Sequence, residues 1–361
     1  MRRPAMYIVG IGTATPVKSY TQDDCYEALA ASDLFQTLTT RSRSLLKKVL
    51  NGNSGIQSRY LALDPLDEFI HFNPDALYTR FHRHAPVLAT NAARNAITDA
   101  GITADDIDGI VVSTCTGYLC PGLSSYMVEQ LPLKPNTLAL DLVGHGCSAA
   151  LPNLQTAAAL LSMNGRCRTV LSVCVEVCSA AFYLDDDPGV LISACLFGDG
   201  AAALVLRNTP QPGQRDIQWI DCTSVIAPGQ REQLRFETRN GMLRNILSPQ
   251  VPELAAQYAR EVLHQALAAY QLQQHDIRTW LWHTAGRDVL NALAAHMELD
   301  ENDMYWSRKV MSECGNMSSP SVLFVLERAL KGNAPSGWWW LSTFGAGFSS
   351  YGALLSVGDQ K

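Results

Sequence analysis

The most constraining feature of this sequence is a pattern that recurs within it at a fixed distance. Gly117 and Gly286 each close a strand-like apolar run, and Gly146 and Gly315 each open a helical stretch. The residue numbers within both pairs differ by 169. A third pair of glycine turns follows in the same order at a shorter distance: Phe197-Gly198-Asp199-Gly200 and Phe344-Gly345-Ala346-Gly347. Ordered matches of this kind predict an internal duplication, with two similar halves.

Each half alternates strand-like runs with helical stretches such as 85–100 and 251–272. This alternation predicts the α/β class, in which helices form layers on largely buried sheets. The predicted boundary lies in the polar stretch 207–216, which carries two prolines, so we expect halves of residues 1–210 and 211–361. A duplicated fold favours a functional site at the junction of its halves.

Composition excludes several classes of function. The 361 residues are 47% hydrophobic with a net charge of -6, so the chain can bury a large core and has no basic field to attract nucleic acid. No apolar run is long enough to span a membrane, and the start lacks the apolar region of a signal peptide. The ten cysteines contain no CxxC pair, which argues against a zinc site or a disulfide framework. We therefore expect a cytoplasmic protein.

Cys147 is the strongest candidate for a nucleophile. It lies in a glycine turn between the apolar run 137–143 and the alanine-rich helical stretch 151–163. The glycines allow a sharp turn, and a helix start offers unpaired N–H groups and the positive end of a dipole. Both effects favour the thiolate, the reactive form of cysteine. A cysteine that only fills space in the core is the alternative.

Two residues of the second half could complete a site with Cys147. His283 ends a tryptophan-rich strand, and Asn316 lies in a glycine turn before a helix. Each has a structural alternative: a core histidine bonded to a backbone carbonyl, or an asparagine that caps the helix. A thiol, an imidazole and an amide, all at strand-to-helix turns of a duplicated fold, together favour the catalytic interpretation.

A thiol and an imidazole predict acyl transfer through a thioester. The amide suggests a further step, because a neutral imidazole and an amide can donate two hydrogen bonds to one oxygen. Such a pair would stabilise the enolate that forms when a malonyl thioester or a β-keto acid loses carbon dioxide. The predicted reaction is a decarboxylative Claisen condensation onto the acyl group on Cys147. It requires no metal and no bound organic cofactor.

Six short motifs follow one another along nearly the whole chain: Gly12-Thr13-Ala14-Thr15-Pro16, Ser113-Thr114-Cys115-Thr116-Gly117 with Pro121-Gly122, Gly146-Cys147, Leu196-Phe197-Gly198-Asp199-Gly200-Ala201-Ala202, Cys314-Gly315-Asn316-Met317-Ser318-Ser319 and Phe344-Gly345-Ala346-Gly347. In this order they resemble the thiolase-fold condensing enzymes, most closely the type III polyketide synthases of the chalcone and stilbene synthase group. The resemblance implies a thiolase-like fold of αβαβα layers with two similar halves.

The resemblance also implies roles and partners. Cys147 is similar to the family's acyl-carrying nucleophile, and His283 and Asn316 are similar to its decarboxylation and oxyanion pair. The implied substrates are an acyl-CoA starter and malonyl-CoA, and the implied assembly is a homodimer. Repeated extension followed by cyclisation implies a resorcinol, pyrone, phloroglucinol or chalcone-type product.

A substrate pocket is implied as well. Phe197 matches the family's gatekeeper aromatic, although a core phenylalanine before a glycine turn is the alternative. The other implied pocket positions are Cys115, Thr116, Cys120, Ala181, Gly345 and Gly347. Lys47 and Lys48 match the basic mouth of a coenzyme A tunnel, or else form a solvated helix face. The second gatekeeper should fall near 245–247, where the sequence has no aromatic residue, so a differently shaped cavity and a bulky or long-chain starter are a hypothesis.

The sequence leaves two other functions open. A ketoacyl synthase of the fatty-acid type uses the same three residue types, but it takes malonyl groups from an acyl carrier protein and condenses once. A catalytically silent thiolase-fold protein would only bind acyl thioesters or partners. The complete set of cysteine, histidine and asparagine argues against the silent protein.

Overall fold

The computed structural model describes residues 5–52, 54–70, 72–163 and 165–359. Within them the strands are β1 (Met6–Ala14), β2 (Ser19–Thr21), β3 (Ser58–Tyr60), β4 (Gly109–Ser113), β5 (Leu138–Leu142), β6 (Thr169–Glu176), β7 (Gly200–Arg207), β8 (Ile217–Ile226), β9 (Leu234–Arg239), β10 (Met242–Leu247), β11 (Ile277–Trp282), β12 (Gly337–Gly345) and β13 (Ser349–Val357). The helices are α1 (Gln22–Ala30), α2 (Asp33–Thr37), α3 (Thr40–Leu50), α4 (Pro74–Asp99), α5 (Leu123–Gln130), α6 (Ala150–Leu161), α7 (Pro188–Leu196), α8 (Val251–Tyr270), α9 (Arg287–His296), α10 (Glu301–Cys314) and α11 (Ser321–Lys331).

The first four residues, on which the expectation about a signal peptide partly rests, lie outside the described residues. In the described ranges, every helix is too short or too polar to span a lipid bilayer. Helix α4 begins well before the predicted start at residue 85, because Asn73 accepts a hydrogen bond from the Ala76 N–H and Pro74 occupies the first helical position.

One mixed sheet of nine strands runs through the described part of both halves, in the order β11-β12-β13-β8-β1-β7-β6-β4-β5. Strand β4 is parallel to β5 and β6, and β11 is parallel to β12. Strands β7 and β13 are antiparallel to their neighbours. The halves join where Met6 and Tyr7 of β1 pair with β8. Strands β4, β6 and β7 are buried nearly throughout because helices cover both of their faces.

The two halves repeat one topology. The order β4-β6-β7-β1 in the first half corresponds to β11-β12-β13-β8 in the second. Even the turns before β4 and β11 match, since Thr103 and Gln273 each form a capping box with an aspartate three residues later. Strand β5 precedes Cys147, whereas helix α10 takes the corresponding place before Asn316. The division into residues 1–210 and 211–361 stays a prediction.

The side-chain alternation of the strands builds the layers. Val111 of β4 points inward to the helices α6 and α11, which pack between the two sheet halves, whereas Ile110 and Val112 point outward to α4 and α5. Helices α8 and α9 cover the outer face of the second half. The order of layers is therefore αβαβα, and the α/β class and thiolase-like fold predicted from the sequence are confirmed.

Each half also carries an insertion between its first strand and its first long helix. The first insertion, residues 19–70, contains β2, α1, α2, α3 and β3, and it builds a separate apolar cluster against α7. The second, residues 228–247, contains a 3₁₀ turn and the hairpin of β9 and β10. Helix α7 contacts both α3 and β10, so the two insertions meet around it.

Candidate active site

Cys147 lies in a tight turn between β5 and α6. Gly144 and Gly146 adopt φ angles of +90° and +56°, which favour glycine. A 3₁₀ turn spans Gly146–Ser148, and the Ser148 hydroxyl donates to the His145 carbonyl at 2.8 Å. Helix α6 begins at Ala150, so the cysteine precedes the helix rather than opening it.

Cys147 is half-buried at the cavity wall, and its thiol is uncharged. Burial raises its pKa to about 12, the hydrogen bond that Ser318 Oγ donates to Cys147 Sγ at 3.3 Å lowers the pKa, and the negative charge of Glu176 raises it. The backbone N–H of Cys147 also lowers the pKa, which is the direction expected from the turn, but the loss of water on burial is the larger effect. The thiol therefore keeps its proton in the unliganded chain, and its removal needs a base.

His283 follows β11 and is fully buried. Its backbone N–H donates to the Ser342 carbonyl at 3.0 Å, and its ring packs edge-on against Phe344 with ring centres 5.3 Å apart. Neither ring nitrogen has a hydrogen-bond partner among the described residues. Burial lowers the imidazole pKa to about 3, so the ring is neutral. A core histidine whose ring is bonded to a backbone carbonyl does not fit this arrangement.

Asn316 is held by its backbone, and the Nδ2 end of its side-chain amide is weakly bound. Its N–H donates to the Leu196 carbonyl at 2.9 Å, its carbonyl accepts from the Gly198 N–H at 2.9 Å, and these bonds form a β-bridge with Phe197. Its Nδ2 donates to the Ala285 carbonyl at 3.5 Å, which is a long hydrogen bond. The following helix α11 begins after Pro320, so the interpretation of Asn316 as the cap of that helix is wrong.

Ser318 connects the second half to the nucleophile. Its N–H donates to Asn316 Oδ1 at 2.8 Å while its hydroxyl donates to Cys147 Sγ. Its φ of +58° is uncommon for a residue with a side chain, and such backbone strain often accompanies function. The segment of His283 joins the same network, since Thr284 Oγ1 donates to the Gly315 carbonyl at 3.1 Å. The three predicted catalytic residues thus lie on hydrogen-bonded turns at the junction of the halves.

One continuous cavity extends from Cys147, with an empty volume of about 1230 Å³ that includes the space open to solvent. Of the residues implied as pocket positions, its wall contains Cys115, Thr116, Ala181 and Phe197. Ala346 lines the cavity in place of its neighbours Gly345 and Gly347. His283 and Asn316 are buried but are not among the residues that line this cavity.

Three other implied positions lie outside the cavity wall. Cys120 is exposed. Lys47 and Lys48 lie on the exposed face of α3, whose opposite face contributes Leu46 and Leu50 to the cavity.

Gly345 supports the nucleophile turn. A side chain at this position would place its first carbon 2.6 Å from the Ser148 backbone nitrogen and 2.7 Å from the His145 carbonyl oxygen. Real contacts of this kind are longer, so β12 can approach the turn of Cys147 only because residue 345 has no side chain. Gly347 instead has a φ of +129°, a backbone conformation that favours glycine.

Glu176 was not singled out by the sequence analysis. It is a fully buried carboxylate at the end of β6, and it accepts hydrogen bonds from the Cys115 N–H at 3.0 Å, Thr116 Oγ1 at 2.8 Å and Ser319 Oγ at 2.7 Å. Burial raises its pKa, while these donors oppose the shift. The available signal was the single charged residue in the apolar run 169–176.

The hairpin of β9 and β10 contributes Asn245, from the stretch implied for the second gatekeeper, and two residues that the sequence did not indicate, Leu234 and Phe236. Leu234, Phe236 and Asn245 line the cavity, and Phe236 lies opposite Asn245 in the hairpin register. Arg244 anchors the hairpin, since its guanidinium lies 2.8 Å from Asp185 and 3.0 Å from Glu237. An aromatic residue is therefore present beside position 245, although it comes from the neighbouring strand.

Comparison with family profiles gives two matches that together span almost all of the chain. Residues 1–222 match the profile described as FAE1/type III polyketide synthase-like protein. Residues 221–358 match the C-terminal domain of the chalcone and stilbene synthases.

Individual relatives agree with these matches. The chain is 29% identical over 367 residues to a 3,5-dihydroxyphenylacetyl-CoA synthase from Streptomyces toyocaensis, an alignment that covers 98% of this chain and 90% of that protein. It is 29% identical over 320 residues to a phloroglucinol synthase from Pseudomonas fluorescens Pf-5, with 88% and 90% coverage. The crystal structure of PKS-I from the brown alga Ectocarpus siliculosus superposes with a TM-score of 0.90 at 24% identity, covering 99% of both chains, which shows a shared fold.

Proposed function

The chain belongs to the FAE1/type III polyketide synthase-like family, and on that premise we propose a specific role for each residue of its active site. As a type III polyketide synthase it is an acyl-transferring condensing enzyme. The observation that carries the proposed roles is the fully buried His283 ring, whose two nitrogens have no partner among the described residues. Such unpaired groups are costly unless a substrate satisfies them.

The first step is loading of the starter. Cys147 Sγ attacks the thioester carbonyl of an acyl-CoA, the new carbon–sulfur bond forms on the enzyme, and the bond to the coenzyme A sulfur breaks. Because burial raises the thiol pKa to about 12, the thiol proton must be removed during the attack. His283 relays this proton to the departing coenzyme A thiolate in concert with the attack, through its unpaired ring nitrogens, so that neither a free thiolate nor an imidazolium accumulates.

The second step is extension. Malonyl-CoA places its thioester oxygen between a ring N–H of His283 and the amide of Asn316, both of which are neutral donors. Carbon dioxide leaves, and the resulting enolate attacks the acyl group on Cys147 and releases the thiolate. The chain, now two carbons longer and attached to coenzyme A, returns to Cys147 for another cycle. The long hydrogen bond of Asn316 Nδ2 supports this role, because little is lost when Nδ2 donates to a substrate oxygen instead of the Ala285 carbonyl.

We assign coenzyme A binding to the outer face of α3. Lys47 and Lys48 are exposed there, while Leu46 and Leu50 of the same helix line the cavity. A helix with this arrangement can hold phosphates at the surface while the acyl group lies inside. Substitution of both lysines by alanine should raise the KM for acyl-CoA, with little effect on an N-acetylcysteamine thioester that lacks the nucleotide.

We also propose a homodimer formed through the first half. Strand β5 lies at the edge of the nine-stranded sheet, and its neighbourhood exposes Tyr118 and Val143, with 73% and 65% of their surface accessible. An exposed strand edge flanked by apolar side chains favours pairing with a second copy. Sedimentation should give a dimer that Val143→Asp weakens.

The cysteines within the described ranges are all free, which supports the proposed cytoplasmic location.

The proposed function is tested by incubating the purified protein with malonyl-CoA and acyl-CoA starters. We expect an acyl adduct on Cys147 by mass spectrometry and cyclic products that contain several malonyl-derived units. A single condensation that requires acyl carrier protein would instead identify a ketoacyl synthase. The absence of any adduct and of malonyl-CoA decarboxylation would overturn the proposed roles.

A further inference from the structure

A buried arginine in β3 binds the end of helix α7. Arg59 belongs to the first insertion, lines the cavity and is only 4% exposed. Its Nη1 donates hydrogen bonds to the Ala194 carbonyl at 2.9 Å and to the Phe197 carbonyl at 2.8 Å, while its Nε has no partner among the described residues. A cation that has lost its water needs such acceptors, so Arg59 and these two carbonyls depend on each other.

The end of α7 lacks a donor because of its bridge with the segment of Asn316. In a longer helix the Gly198 N–H would bond the Ala194 carbonyl, but here it donates to the Asn316 carbonyl at 2.9 Å. The Asn316 N–H in turn occupies the Leu196 carbonyl. Arg59 therefore supplies the donor that α7 loses to the bridge, and its charge lies at the negative end of the helix dipole.

Arg59 also contacts the turn that carries Asn316. A side chain at Gly315 would place its first carbon 2.7 Å from the Leu196 carbonyl oxygen and 3.0 Å from Arg59 Cγ. Gly315 has a φ of +68° and fits here only because it has no side chain. The turn is thus packed between the end of α7 and the stem of Arg59, and a shift of either one moves Asn316.

Hydrogen bonds fix β3 itself relative to the same turn. The Gln57 N–H donates to the Ser312 carbonyl at 2.8 Å, and Ser58 Oγ donates to the Glu313 carbonyl at 3.0 Å. Both acceptors lie at the end of α10, the helix that leads into the turn. Arg59 therefore joins three elements, β3, α7 and α10, at the point where the amide is held.

We propose that Arg59 is a positioning residue for malonyl-CoA decarboxylation, which acts by fixing the end of α7 and, through the backbone bridge with Phe197, the amide of Asn316. This inference rests on the proposed function, because it assumes that Asn316 donates to the substrate oxygen. The hydrogen bond of Asn316 Nδ2 to the Ala285 carbonyl is long, so the backbone has to hold the amide in place. An oxyanion donor is effective only when its position is set before the reaction.

The first experiment compares two steps in Arg59→Met, in which an unbranched side chain without donors replaces the guanidinium. Loss of both hydrogen bonds should let the end of α7 and the amide move. We expect kcat for malonyl-CoA decarboxylation to fall about 10–100-fold with little change in KM, and single-turnover loading of Cys147 to fall less than about threefold. Arg59→Lys keeps the charge and a donor, so it should recover part of the decarboxylation rate. Equal losses in the two steps of Arg59→Met would overturn the inference.

A double-mutant cycle tests whether Arg59 acts through the amide. In Asn316→Ala no amide remains to be displaced, so the addition of Arg59→Met should lower decarboxylation by less than about twofold. A general loss of stability would instead lower the rate by the same factor in both backgrounds, and that result would show the inference to be wrong. If Arg59→Met does not fold, Arg59→Lys goes through the same cycle.

Arg80 provides the matched control. It is 8% exposed, and its guanidinium donates to the Ser179 carbonyl at 2.6 Å and to the Glu68 carbonyl at 3.0 Å. Arg80→Met therefore also removes a buried arginine from two backbone carbonyls, but these lie outside α7 and its bridge with Asn316. It should leave the ratio of decarboxylation to loading at the wild-type value. If Arg80→Met lowers this ratio as much as Arg59→Met does, the assignment is contradicted.

Asn316→Ala by itself separates this inference from the proposed function. If Asn316→Ala decarboxylates malonyl-CoA at the wild-type rate, the proposed role of the amide fails, and the role of Arg59 fails with it. If Asn316→Ala is impaired while Arg59→Met and Arg59→Lys decarboxylate like the wild type, only the inference about Arg59 fails.

Discussion

The hydroxyl of Ser318, in the second half of the chain, donates a hydrogen bond to Cys147 Sγ in the first half over 3.3 Å. The same residue donates its N–H to Asn316 Oδ1. Ser318 therefore connects the nucleophile to the amide proposed to act on malonyl-CoA. This contact gives the thiol its nearest stabilising donor, while the buried carboxylate of Glu176 acts in the opposite direction.

Substitutions at these two positions should change the reactivity of Cys147 in opposite directions. Ser318→Ala removes a hydrogen bond that lowers the thiol pKa, so alkylation by iodoacetamide at pH 8 should slow about tenfold. Glu176→Gln removes a negative charge that raises the pKa, so alkylation should become severalfold faster. Peptide mass spectrometry distinguishes Cys147 from the other cysteines. Changes in the same direction for both variants would contradict this electrostatic account.

The roles of the thiol and the amide can be separated by substitution. Cys147→Ala should abolish product formation, because no acyl-enzyme can form. Asn316→Ala should reduce malonyl-CoA decarboxylation by about 10²–10³, as expected for loss of one oxyanion donor, and should reduce acyl loading by less than about tenfold. Single-turnover loading and release of carbon dioxide provide the two measurements. Equal losses in both steps would show that Asn316 has no special part in decarboxylation.

Decarboxylation should depend weakly on pH in a variant without the thiol. Burial lowers the His283 pKa to about 3, so the imidazole gains a proton only in strong acid and remains a neutral donor at higher pH. The rate of malonyl-CoA decarboxylation by Cys147→Ala should therefore be nearly constant from about pH 5 to pH 8. If the decarboxylation rate of Cys147→Ala declines in this range, and the decline is absent once His283→Gln is added to that variant, the ring titrates near its ordinary pKa of 6.5.

Gly345 should be intolerant of even one added methyl group. The new carbon of Gly345→Ala would lie 2.6 Å from the Ser148 nitrogen, so the turn that carries Cys147 must move. We expect a loss of about 1–3 kcal/mol in the free energy of unfolding and at least about a tenfold loss in acyl loading. Gly229→Ala is the matched control, since nothing lies within 4 Å of a side chain there. Wild-type loading in Gly345→Ala would show that the turn adapts.

The layered fold was predictable because the duplication is visible in the sequence. Gly117 and Gly286 follow the equivalent strands β4 and β11, and Gly146 and Gly315 lie in the equivalent turns that carry Cys147 and Asn316. Their equal spacing in the sequence therefore reflects equivalent positions in the two halves. Such turns need glycine for backbone reasons, so their spacing persists while the side chains around them differ.

The cavity and the charge state of the site were not predictable in the same way. The apolar end of the cavity, lined by leucines such as Leu29, Leu46 and Leu50, is built by the first insertion, which has no counterpart of similar structure in the second half. Its leucines are indistinguishable in the sequence from those that fill a core, since only packing shows the space between them. Likewise, the turn at Cys147 suggested a thiolate, but the pKa depends on burial and on Glu176, which are long-range properties.

The β-bridge between Phe197 and Asn316 consists of backbone hydrogen bonds alone. The position of the Asn316 amide, which we propose to act in decarboxylation, is therefore independent of which side chain occupies residue 197. That side chain lines the cavity, so selection can change it and the shape of the cavity without moving the Asn316 backbone. The bridge separates the part of the enzyme that can diversify from the part that must stay constant, and one scaffold of this kind can give rise to enzymes with many different products.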